Sequence, residues 1–192
     1  MKNICVYCSS SNLIDPVFFQ AAKQLAVTIA SKQHRLVFGV GCVGLMGELA
    51  RTMHDFGGHV TGVIPHRLNV PGICYENCDE LIVTKDMRKR KHKMDEVSDG
   101  FIALPGGFGT LEEISEMITG KQLGFHNKPL VFLNTNNFYS PLIDFFEQMY
   151  AYNFAKPESR SLYFVSDKPE ACIEYIEKFI PEEISEKYER KV

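Results

Sequence analysis

The chain has no excess of either charge: 24 acidic and 21 basic residues leave a formal net charge of −3 over 192 residues. That balance argues against a general nucleic-acid binder, whose footprint is a strongly basic face. No apolar run approaches the roughly 20 residues a helix needs to cross a bilayer, so no membrane partner is expected. A secretory signal is not expected either, because Met1-Lys2-Asn3 leads directly into a short apolar segment and then serines. The six cysteines are accordingly expected as free thiols in a reducing, cytoplasmic setting. Internal repeats, low-complexity segments and a dividing linker are all missing, and the length suffices for one core. A single domain spanning 1–192 is expected.

The cysteines do not offer metal-ligand spacing. Cys5 and Cys8 form a C-x-x-C, but Ile4-Cys5-Val6-Tyr7-Cys8 reads as a buried strand. Residues three apart on a strand face opposite sides and cannot share one ion. Cys74 and Cys78 lie in a turn-like segment, and no second pair with the usual spacing follows them. No metal site is expected.

What the chain does contain is an alternation of β-branched runs with helical stretches. Strands are expected at Ile4–Tyr7, Leu36–Phe38, His59–Ile64, Glu80–Thr84, Phe101–Leu104, Leu130–Leu133 and Leu162–Val165. Helices are expected at Pro16–Lys32, Gly44–Phe56, Met87–Val97, Leu111–Leu123, Tyr139–Tyr150 and Pro169–Ile180. In the first helix Phe18, Ala21, Ala22, Leu25 and Ile29 fall on one stripe, as an amphipathic helix requires. The alternation predicts an α/β fold: a mainly parallel sheet of about seven strands with helices on both faces. The charged tail from Pro181 to Val192 reads as a solvated helix end or a frayed terminus.

Ligands of open α/β sheets bind beyond the carboxyl ends of the strands, and four segments fall there. Cys8-Ser9-Ser10-Ser11-Asn12 follows the first strand, where hydroxyls such as that of Ser10 can donate to phosphate or ribose; an ordinary polar turn accounts for it equally well. Gly39-Val40-Gly41-Cys42-Val43-Gly44 follows the second strand and matches G-x-G-x-x-G. A dinucleotide would want a carboxylate ending the next strand, yet that strand ends Gly62-Val63-Ile64-Pro65. A mononucleotide approaching Gly41 is the better reading. Lys85 through Lys93 is a basic run, more often a solvated helix face than a nucleic-acid patch. On a helix Met87, Arg90, Lys91 and Met94 share one side, which can turn Arg90 and Lys91 toward a pocket.

The fourth segment, Pro105-Gly106-Gly107-Phe108-Gly109-Thr110-Leu111-Glu112-Glu113, is the most informative. It lies between an apolar strand and a helix, where glycines let backbone N–H groups approach a phosphate and the helix N-terminus favours the anion. Thr110 to Glu113 also reads as a capping box, although capping leaves the density of glycine unexplained. Joined with Arg90, the segment supplies phosphate-facing amides, a cation and a carboxylate. That grouping suits breaking a bond to a phosphorylated sugar, with Glu113 as the base or nucleophile.

With these residues in view, Pro105-Gly106-Gly107-x-Gly109-Thr110-x-x-Glu113 resembles the signature of the LOG ("Lonely Guy") family of cytokinin riboside 5'-monophosphate phosphoribohydrolases, long labelled possible lysine decarboxylases. The resemblance extends through Ile4–Ser11, the loop ending Gly44-Leu45-Met46-Gly47, Gly62–Pro65, Met87–Lys91 and Gln122–Pro129. It implies a Rossmann-like fold, usually dimeric, with residues contributed across the subunit interface. Arg90 and Glu113 are implied as the catalytic pair, and Gly106, Gly107, Gly109 and Thr110 as the phosphate loop. Ser10, Gly41, Met87 and Lys91 complete the implied substrate site. The implied reaction is hydrolysis of the N-glycosidic bond of AMP or N6-modified AMP to free base and ribose 5-phosphate, with no metal or redox cofactor.

This chain departs from the family at Ser9 and Val40, where glycine is common. It also has Gly120-Lys121 where a tryptophan is usual; the chain has no tryptophan at all. The departures spare the pair and bear on the base pocket. Arg90 is expected to orient the substrate and to keep the Glu113 carboxylate ionised. The competing expectation is a non-catalytic carrier or sensor of nucleotide or molybdenum cofactor on the same fold, which needs the loop but not the pair. Pyridoxal phosphate chemistry would need a Schiff-base lysine and a pyridinium partner, and no segment suggests them.

Overall fold

A computed structural model describes residues 1–181. Beyond Pro181, the tail for which a solvated end is expected lies outside the described residues. The strands are β1 (Asn3–Tyr7), β2 (Arg35–Phe38), β3 (His59–Pro65), β4 (Glu80–Thr84), β5 (Gly100–Ala103), β6 (Leu130–Leu133) and β7 (Phe164–Ser166). The α-helices are α1 (Pro16–Ser31), α2 (Gly44–Asp55), α3 (Met87–Val97), α4 (Phe108–Gln122), α5 (Ser140–Ala151) and α6 (Pro169–Lys178). All seven strands run parallel in one sheet of order β4-β3-β2-β1-β5-β6-β7. The expected Rossmann-like α/β architecture is therefore present.

Each strand of the sheet's middle is apolar on both faces because both faces are covered. Ile4 and Val6 of β1 join Leu25, Ile29, Leu49, Met53 and Ile173, from α1, α2 and α6, on one side. Cys5 and Tyr7 join Met94, Ile114 and Met117, from α3 and α4, on the other, with residues of α5 packed against them. The same alternation places Cys5 and Cys8 in opposite layers, as their spacing predicts. At the edge, β4 is half exposed, with Leu81 and Val83 open to solvent.

Local signals set most boundaries. Pro16 opens α1 behind Asp15, whose Oδ1 accepts the Val17 N–H at 2.9 Å. Asp86 caps α3 by accepting the Lys89 N–H at 2.9 Å. Two expectations need correction. The last strand is not Leu162–Val165, because Pro157–Leu162 forms a 3-10 helix whose final residue, Leu162, is buried without being in the sheet. Helix α4 begins at Phe108, not Leu111, since Gly107 is its N-cap. Thr110 is then the third helical residue and is buried, so the capping box does not form.

Candidate functional site

The chain leaves β1 toward β2, β3 and β4, then crosses back over α3 to β5 on β1's other side. Connections leaving β1 and β5 diverge, and the crevice between them is where doubly wound folds bind ligands. The serine turn after β1 and the glycine turn after β5 stand on its two sides. They touch: the Ser9 N–H donates to the Pro105 carbonyl at 3.3 Å.

Arg90 and Glu113, 23 residues apart in sequence, meet beside this crevice. Arg90 Nη1 donates to Glu113 Oε1 at 2.8 Å, with side-chain exposures of only 10% and 13%. Arg90 Nε donates to the Val63 carbonyl at 3.1 Å, so the guanidinium is tied to β3 as well as to α4. The residue is buried, as a planar, doubly bonded guanidinium tolerates and a loose cation does not. Burial pushes the Glu113 carboxyl above the usual carboxylate range, and the Arg90 charge pulls it only part of the way back. Arg90 thus acts in the expected direction, but desolvation outweighs it. The Glu113 charge also reaches the end of β1, adding to the burial that raises the Tyr7 hydroxyl and the Cys8 thiol.

The loop Gly106–Thr110 meets the crevice with an unobstructed backbone. A Cβ placed on Gly107 or Gly109 would find nothing within 4 Å, whereas one on Gly106 would strike Thr110 Oγ1 at 2.2 Å. Phe108, Gly109 and Thr110 are the first three residues of α4, whose amides have no partner within the helix. These amides, with the helix dipole behind them, suit an anion such as phosphate. The loop's footing is firm: Tyr139 donates its hydroxyl to the Leu104 carbonyl at 2.6 Å, immediately before Pro105.

The other expected residues fall into place unevenly. Ser10 is exposed on the serine turn. Gly41 forms an isolated antiparallel bridge with Cys74, and a Cβ on it would meet the Met46 methyl at 2.5 Å. Met87 opens α3 and is 48% exposed. Lys91 does reach toward α4, but its ammonium is taken up by Glu112 and, at 2.7 Å, by Glu116. Val40 holds a left-handed backbone (φ 66°) while fully buried, which explains why glycine suits that position. Gly120 lies two turns along α4 from Glu113, and a Cβ there would press on the His126 ring at 3.2 Å. Gly39, Val63 and Tyr139 shape the site without having been singled out individually: Gly39 stood in the G-x-G-x-x-G match and Val63 at the end of the third strand, but neither motif shows that they meet Arg90.

A groove of about 1190 Å³ lies elsewhere, lined by Phe154, Tyr163, Tyr175 and Phe179 among others, where α4 and α6 end. On α4 it meets Lys121 and Gln122, at the far end of that helix from Glu113.

A parallel sheet with an anion-ready helix start and a buried Arg–Glu pair at its switch point defines a Rossmann-like α/β protein. Residues 46–176 match the family described as "Possible lysine decarboxylase". A probable cytokinin riboside 5'-monophosphate phosphoribohydrolase of Oryza sativa subsp. japonica is 39% identical over 94% of this chain and 74% of its own length. A cytokinin riboside 5'-monophosphate phosphoribohydrolase of Arabidopsis thaliana is 38% identical over 94% of this chain and 79% of its own. The chain belongs to this family, the LOG family. Among solved structures, the molybdenum cofactor carrier protein of Chlamydomonas reinhardtii superposes with a TM-score of 0.71 at 22% identity, covering 92% of this chain and 96% of that one. At that identity the likeness is one of fold.

Proposed function

We propose that this protein is a phosphoribohydrolase that cleaves the N-glycosidic bond of AMP or an N6-modified AMP. The observation that carries the reading is the buried 2.8 Å pair of Arg90 and Glu113 beside an unobstructed phosphate loop. The names of the relatives, cytokinin riboside 5'-monophosphate phosphoribohydrolases, support the same substrate class.

In this reading the 5'-phosphate docks on the Gly106–Thr110 amides, and that remote binding energy places the ribose over Glu113. The C1'–N9 bond breaks through an oxocarbenium-like sugar, which the Glu113 carboxylate stabilises. Glu113 either attacks C1' or takes a proton from the attacking water. Water's hydroxyl ends on C1' and its proton on the departing base. Arg90 orients Glu113 and opposes its protonation. Ser10, Gly41 and Met87 border the substrate, while Lys91 holds Glu112 and Glu116 beside it. No metal or redox cofactor takes part. The protein works as a cytoplasmic homodimer; the exposed apolar side chains Met87, Phe108 and Leu111 beside the site give a second subunit something to cover.

The test is incubation with AMP and with N6-isopentenyl-AMP, followed by chromatography for free base. Wild type is expected to release base, and Glu113→Gln to lose about 10²–10⁴-fold in rate while still folding. Equal rates for the two proteins would remove Glu113 from the mechanism. Nucleotide held tightly and returned intact would favour a carrier, the reading to which the shared fold of the cofactor carriers gives its footing.

A further inference from the structure

Gly39 follows β2 directly and faces Arg90. A Cβ built on it would stand 2.1 Å from Arg90 Nη2 and 3.2 Å from Cζ. The guanidinium is therefore enclosed on each of its nitrogens: Val63's carbonyl accepts from Nε, Glu113 accepts from Nη1, and the Gly39 backbone lies against Nη2. We propose that Gly39 is a positioning residue for the hydrolysis, its missing side chain forming the seat in which Arg90 meets Glu113. It touches no substrate and acts only through Arg90.

The atom in conflict is the far end of an arginine, so a methyl at position 39 need not unfold the protein. The guanidinium can retreat, but it then gives up its bond to Val63, its bond to Glu113, or both. An error of about 1 Å in such a group costs on the order of 10²-fold in rate. The consequence is thus greater for catalysis than for folding. The catalytic part rests on the hydrolase reading; the seat itself is measurable without turnover.

Glu113 supplies the readout. The charged and titratable groups facing it are Arg90 and Lys91 on α3, Glu112 on α4, and Cys5, Tyr7 and Cys8 on β1 and its end. Among these Arg90 is the main cation favouring the carboxylate, so displacing it raises the pH at which Glu113 ionises.

The experiment compares wild type with Gly39→Ala. The kcat for AMP is expected to fall about 10²-fold with KM moving less, and the acid limb of kcat/KM to shift to higher pH. In carbon-13 glutamate-labelled protein without substrate, the Glu113 δ-carboxyl is expected to titrate at higher pH. An unmoved Glu113 titration overturns the proposal, whether or not the enzyme hydrolyses AMP. Absence of base release by wild type, with the Glu113 titration shifted in the variant, sinks only the hydrolase reading. If Gly39→Ala does not fold, it is made with Arg90→Ala. Recovery of folding with the clashing partner removed supports the seat, and failure to recover overturns it.

Discussion

Two glycine-rich turns flank the site, after β2 and after β5, and they look alike as strings of letters but not as surfaces. In the first, the glycines are filled by the protein itself. Gly44, at φ 62°, lets the Ser10 backbone pass within 2.4 Å of where its Cβ would be, and Gly39 does the same for Arg90. In the second, Gly107 and Gly109 face open space. Glycine thus serves two ends here. It lets chain pack on chain in the first turn, and at Gly107 and Gly109 of the second it leaves the backbone clear, although Gly106 there is filled by Thr110.

The largest effect should come from breaking the packed turn. Gly44→Ala combines a left-handed backbone with a backbone collision and is expected to cost roughly 2–5 kcal/mol. Denaturant unfolding measures it, and a loss under about 1 kcal/mol would show that the serine turn yields. A smaller effect tests where the two turns meet, at the ion pair. Because the folded-state Glu113 carboxyl titrates above its unfolded value, its contribution to stability is full below the unfolded value and is lost as pH rises through the folded one. The stability of wild type relative to Glu113→Gln should therefore rise as pH falls through that window. A flat difference between the two unfolding profiles would contradict the burial of this carboxyl. The smallest effect on stability belongs to the open turn. Gly109→Ala meets nothing and sits in the first turn of α4, so it should gain about 0.5–1 kcal/mol. The same methyl should raise the KM for AMP, because it stands in the proposed phosphate site. An unchanged KM would argue that the phosphate docks elsewhere.

Much of this was legible in the chain. The expected bounds of α3, Met87–Val97, agree with the structure at both ends, and the structure adds Asp86 as the cap. The alternation of strands and helices gave the parallel sheet because only crossover connections join parallel strands. Other features were not legible. Thr110 and Glu113 have capping-box spacing, yet a carboxylate desolvated beside a buried arginine pairs with that arginine, and Gly107 takes the cap. Leu162 is apolar enough for a strand, but the 3-10 turn begun at Pro157 absorbs it. Lys91 shares Arg90's side of α3, and one position along the helix was enough to send it to Glu112 and Glu116 instead.

The sequence by itself determined the layered α/β fold, the glycine-rich turn between β5 and α4 and the residue types of the pair, because each depends on periodicity and glycines within a few neighbours. Tertiary structure alone decided which glycines are filled and which are open, and that burial outweighs Arg90 at Glu113. Those outcomes depend on atoms far away along the chain, such as Arg90 against Gly39 and Val63. Steric clearance and desolvation are set by whatever packs nearby in space, and a string of residues does not contain that distance.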